Sequence, residues 1–146
     1  MPTSTKTTNR GFAALRAGLV AVALSAGLLA GPAAAGSGGS VSVNIAPSKA
    51  EHARALHAGL QIYSAIRGAR NGASIHQNGR DNTAGIAQNG RGNNGVIHQR
   101  GNGHAGTVQQ NGTGNSYGLF QFGRNTAGHA VQNGHGRAGA TIQFGW

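Results

Sequence analysis

The sequence predicts an all-β fold over residues 72–146: a β-solenoid of amyloid type, built from stacked strand-turn-strand coils. Three observations predict it. Glutamine recurs every eleven residues, at Gln77, Gln88, Gln99, Gln110, Gln121, Gln132 and Gln143. Glycine stands two positions after each, at Gly79, Gly90, Gly101, Gly112, Gly123, Gly134 and Gly145. Two positions before each glutamine come Ile75, Ile86, Ile97, Val108 and Leu119, then Ala130 and Thr141. Repetition at a fixed period marks an architecture of stacked units, none of which can bury its apolar face alone.

The elements in front of the repeats follow in chain order. Lys6, Arg10 and Arg16 form a basic leader, and Ala17 to Ala30 is uncharged and mostly apolar. Gly31-Pro32 breaks this run, and Ala33-Ala34-Ala35 supplies an A-x-A pattern. Residues 1–35 therefore read as a secretory signal peptide cleaved after Ala35. The apolar run is shorter than the roughly 20 residues a spanning helix needs, so the mature chain is expected to have no membrane span. Residues 36–71 read as a linker, secretion or docking segment. Gly36 to Ser40 is Gly/Ser-rich, Val41, Val43 and Ile45 alternate as in a strand, and Pro47 ends that signal. Ser48 and Glu51 match a capping box, and Leu56, Leu60 and Tyr63 have helical spacing. This gives a modest amphipathic helix over 49–66; the competing reading makes its end a degenerate first repeat.

Within 72–146, seven eleven-residue half-repeats each hold a strand of about five residues and a tight turn. Strand side chains alternate faces, so the aliphatic residue, the glutamine and the glycine share the inward face. Asn-Gly at 78–79, 89–90, 111–112 and 133–134 supplies turn chemistry, since both residues accept left-handed backbone angles. Two units make a flattened coil of 22 residues, and seven make about three and a half coils. At about 4.8 Å per layer the stack is roughly 17 Å tall. Inward glutamines would form amide ladders that fix register. Asn82, Asn93 and Asn115, five positions after a glutamine, join them as candidate assembly residues. In the last two units the apolar residue moves to Val131 and Ile142, so either a bulge rephases these strands or they pair differently. The final unit runs to Gly145-Trp146, which predicts an uncapped ladder that adds further subunits.

The run Gln88-Asn89-Gly90-Arg91-Gly92-Asn93-Asn94-Gly95, closing at Gln99, and the run Gln110-Asn111-Gly112-Thr113-Gly114-Asn115, closing at Gln121, resemble the curlin repeat, Q-x-G-x-G-N-x-A-x3-Q. The resemblance covers residues 72–146. It implies an extracellular adhesive fibre of biofilm matrix, either as the main subunit or as a minor surface nucleator. It also implies other curli-type subunits and a secretion machinery as partners, with the inward Gln and Asn as assembly residues. The family's Ser before the glutamine is mostly Asn here, and its Ala is mostly Gly, at Gly95, Gly106, Gly128 and Gly139.

Composition narrows the remaining classes. There is no Cys, and Glu51 and Asp81 are the only carboxylate side chains. Acid–base and nucleophilic designs lack parts, so no enzyme, cofactor or metal site is expected. His76 and His98 lie 22 apart and would stack on the outward face; solvated histidines are favoured there over a metal pair. Once the three leader cations are removed, the mature chain keeps a formal charge of +7. This suits an anionic polysaccharide or nucleic acid. Arg80, Arg91 and Arg124, in the turns, are favoured as gatekeeper charges against premature aggregation. Tyr117, Phe120, Phe122, Phe144 and Trp146 read as packing residues. The rival to a fibre subunit is a monomeric secreted solenoid that binds glycan or another anionic ligand.

Overall fold

The computed structural model describes residues 38–68 and 72–146, so the leader and its cleavage site at Ala35 lie outside them. The first strand, β1, spans Ser40–Ile45, and the helix, α1, spans Ala50–Ile66. Seven strands follow: β2 (Ala73–Asn78), β3 (Thr83–Asn89), β4 (Asn94–Asn102), β5 (Ala105–Thr113), β6 (Ser116–Arg124), β7 (Ala127–His135) and β8 (Ala138–Gly145).

These seven strands wind into a β-solenoid of about three turns. Alternate strands stack in parallel, giving one sheet in the order β1-β8-β6-β4-β2 and a second in the order β3-β5-β7. The register between coils is 22 residues throughout: Gln77 pairs with Gln99, Gln99 with Gln121, and Gln121 with Gln143. In the second sheet Gln88 pairs with Gln110 and Gln110 with Gln132. No bulge rephases the last units. Ala130 and Thr141 keep the inward positions and are buried, while Val131 faces outward and is 48% exposed.

The core between the sheets is thin. Ile97, Val108, Leu119 and Ala130 form it, with Ala84, Ile86 and Tyr117 packed against them. Glycine makes this thinness possible. At Gly112 φ is +119°, and a Cβ there would lie 2.0 Å from the Gly134 carbonyl oxygen of the next coil. Only a residue without a Cβ lets successive turns approach this closely.

The helix begins without the capping box. Lys49 is the N-cap, in extended conformation, and no side chain caps it. Glu51 still lies in the first turn, where the helix dipole favours negative charge. Gly68, with φ +71°, follows the last turn in the left-handed conformation common after helix ends. The helix buries Leu60 and Ser64 on the outer face of the five-stranded sheet. Leu60 fits because residue 118 is glycine: a Cβ there would sit 2.7 Å from Leu60 Cδ2. Val96, on that outer face, is fully buried. Ser64 Oγ donates to Asn94 Oδ1 at 2.7 Å, which anchors the C-terminal half of the helix.

The expectation of a bare C-terminal edge does not hold for this sheet. β1 pairs antiparallel with β8 from Ser40–Gly145 to Ile45–Ala140. The segment before the helix is thus an edge strand of the stack. A strand without its own sheet finds a partner in β8, whose outer backbone groups would otherwise lack one.

Candidate assembly site

The two glutamine columns carry the most regular chemistry in the molecule. In the first, Gln77 Nε2 donates to Gln99 Oε1, Gln99 to Gln121 and Gln121 to Gln143, each at 2.8 Å. In the second, Gln88 donates to Gln110 at 2.9 Å and Gln110 to Gln132 at 2.8 Å. Every amide points the same way along the stack. From Gln88 onward the Nε2 groups also reach across the core, among them Gln99 to the Thr83 carbonyl at 2.8 Å, Gln121 to Ala105 at 2.9 Å, Gln110 to Asn94 at 3.2 Å and Gln132 to Ser116 at 3.1 Å. One side chain therefore ties its coil to the next and its sheet to the facing sheet. Gln99, Gln110 and Gln121 have no solvent exposure, so each lost partner would be a buried unsatisfied group.

Asparagines run a second ladder at the corners. Asn82, Asn93 and Asn115 donate through Nδ2 to the carbonyls of Gly101, Gly112 and Gly134, at 2.8, 2.9 and 2.9 Å. Their Oδ1 atoms accept from the backbone N–H of His104, Asn115 and Arg137 in the next coil. The asparagine position of the intervening unit holds His104, which is 1% exposed and bonds Thr126 Oγ1 through Nδ1 at 2.8 Å. Sequence reasoning missed His104 as a corner residue. Its signal was its place five positions after Gln99.

The inward aliphatics differ by depth in the stack. Ile97, Val108 and Leu119 are buried, Ile86 is half-buried, and Ile75 on the edge strand β2 is 46% exposed. Six of the seven turn glycines, Gly79, Gly90, Gly101, Gly112, Gly123 and Gly134, have positive φ. Gly145 does not, but a Cβ there would meet the Arg124 carbonyl at 1.9 Å.

The outer faces are not uniformly solvated. His76 and His98 stack with centroids 5.1 Å apart, but His98 is not a free surface ring. Tyr63 of α1 packs edge-on against it, and its hydroxyl bonds His98 Nδ1 at 2.8 Å. Tyr63 also meets Phe120 edge-on, and Phe122 stacks on Phe144 at 5.4 Å. Among the described residues, no three His, Cys, Asp or Glu side chains are grouped to hold a metal ion, and no helix is long and apolar enough to cross a membrane.

Burial holds the His98 pKa below the ordinary histidine value, and nearby His76, Arg67 and Arg100 push it the same way. The folded state therefore favours the neutral ring. A depressed pKa contributes stability that is present above the ordinary value and lost as pH falls through the folded one. Docking of α1 is expected to weaken on acidification. Amide exchange in α1, corrected for intrinsic rates, should accelerate between about pH 7.5 and pH 5, and less so in His98→Gln. Unchanged protection across that range would remove this role for His98.

Comparison with known proteins adds one finding. Residues 68–97 match the family model of the curlin associated repeat. The chain carries a curlin repeat. No curated protein and no solved structure is significantly similar to the chain. The curlin match spans β2, β3 and the start of β4, and the same eleven-residue spacing continues from there to Gly145.

The two ends of the stack are chemically complementary. At the β2–β3 end, Gln77 and Gln88 donate into the stack, and no described residue donates to their Oε1 atoms. At the β7–β8 end, Gln132 and Gln143 accept from the stack, and among the described residues their Nε2 groups donate only across the core, to Ser116 and Ala127.

Proposed function

We propose that this chain is a structural subunit of an extracellular, curli-like fibre and that it grows by stacking copies end on end. Under this reading it is not an enzyme. It is secreted through a leader, associates with other curli-type subunits, and serves adhesion and matrix formation. The observation that carries the reading is the shared polarity of the two glutamine columns, which leaves free acceptors at one end and free amide hydrogens at the other.

Ala35–Trp146 forms one compact unit, so residues 36–146 are the form to test. Purified and held for days at micromolar concentration and neutral pH, they are expected to give thioflavin-positive fibres with a reflection near 4.8 Å along the axis. A chain that sediments as a monomer throughout would overturn the reading. A monomeric solenoid binding an anionic glycan is the second reading. It is favoured by β1 lying on the β8 edge and by the exposed Arg80 and Arg91 of the turns and Arg124, which ends β6 rather than lying in a turn, and a stable monomer with glycan affinity would select it.

A further inference from the structure

Seven strands, β2 to β8, make three and a half coils, so the two sheets end at different heights. β7 is the last strand of one sheet, and β8 stands half a coil beyond it in the other. A second copy in the same orientation would set its β2 on β8 and leave the slot above β7 empty. A copy turned by half a turn about the stack axis sets its β2 on β7 and its β3 on β8, with no gap. Its Gln77 would then fall over Gln132 and its Gln88 over Gln143, which brings the free Oε1 atoms onto the free amide hydrogens.

The slot that β3 of the second copy needs is the one β1 holds. β1 is a poor occupant of it. It runs antiparallel in a stack that is otherwise parallel. It sets Ser42 opposite Gln143, so no amide continues the column, and among the described residues Gln143 Nε2 donates only to Ala127. Its contact inside the column is Asn44 Oδ1, which accepts from Thr141 Oγ1. Ser40, Val41, Ser42 and Asn44 are all exposed. β3 offers seven ladder residues against six, a glutamine in register and Ile86 over Thr141.

We propose that β1 is a built-in stop on the β8 edge, and that growth replaces it with β3 of a second copy rotated by half a turn. This rests on the fibre reading and adds a fixed register and a point of control. Subunits alternate in facing, so α1 lies on opposite sides of the fibre in successive copies, with a rise of about 17 Å each, from 3.5 layers.

A removable lock tests the stop. Gly39 and Trp146 exchange both backbone bonds, so Asn44 and Thr141, five residues along, form a non-hydrogen-bonded pair with close Cβ atoms. The native chain has no Cys, so Asn44→Cys with Thr141→Cys gives one defined disulfide. The oxidised chain should elongate seeds at least tenfold more slowly than the same chain after reduction. Val43→Pro, which removes an N–H from the β1 ladder, should shorten the lag at least threefold. Electron microscopy should show α1 on alternate sides. Equal growth of the locked and reduced chains overturns the stop and leaves the fibre reading intact. α1 on one side, repeating every four layers or about 19 Å, overturns the half-turn register. A Val43→Pro chain that stays monomeric, together with the native and reduced chains, overturns the inference and the fibre reading alike.

Discussion

Replacing Gln121 with leucine is expected to destabilise the solenoid by about 2–6 kcal/mol, measured by denaturant unfolding of the chain kept monomeric. Leucine nearly matches the volume, so the effect isolates the amide. Gln121 Oε1 accepts from Gln99, and its Nε2 donates to Gln143, to the Ala105 carbonyl and to the Thr126 carbonyl. The site is fully buried. Substitution strands two or more polar groups where water cannot reach them, each at a cost of about 1–3 kcal/mol. Gln143 is less buried and ends its column, so Gln143→Leu should cost no more than half as much. Equal costs at the two positions would mean that depth in the ladder does not set the energy.

Gly112→Ala is the second large effect. At φ +119° an L-residue is strained, by about 1–3 kcal/mol. The new methyl would lie 2.0 Å from the Gly134 carbonyl oxygen and 2.9 Å from its carbon. That neighbour is backbone in the coil above, so relief requires the coils to part. Forced repacking adds roughly 1–3 kcal/mol, for an expected total of about 2–6 kcal/mol. Gly136→Ala makes the comparison. Gly136 also has positive φ, +61°, yet nothing lies within 4 Å of its Cβ position. It should show only the conformational part. If the two alanine variants melt together, the close approach of the coils is not what glycine serves at 112.

The sequence made the solenoid legible because its period is chemical. A buried amide that must meet its own kind 22 residues on cannot drift, and the glycine two positions later must coincide with a carbonyl in the next coil. The same constraint explains Val131 and Ile142. Hydrophobicity alone asks those side chains to turn inward, but a one-residue slip would move Gln132 and Gln143 off their columns and each glycine off its turn. The register holds, and Val131 stays out. His104 was legible by position, five residues after Gln99, but a histidine there breaks the asparagine pattern that marks the corner. The docking of α1 left fainter marks, an outward apolar Val96 beside Gly118, which mean little until the helix lies over them. The partner of β1 was not legible. Alternation identifies a strand, but a single antiparallel pairing about a hundred residues away leaves no repeat to read.

Sequence distance also gives the fold an order in time. Between coils, each contact of the glutamine columns closes a loop of 22 residues, whereas Thr141 meets Asn44 across 97. By chain statistics the longer closure costs roughly 1.3 kcal/mol more entropy, and it requires β8 to be already in place. Coils can therefore zip up from neighbour to neighbour while the β1 segment is still searching. For that interval the newest edge is bare, and what covers it depends on whether the chain's own first strand or a nearby molecule arrives sooner. Dilution favours the former and crowding the latter.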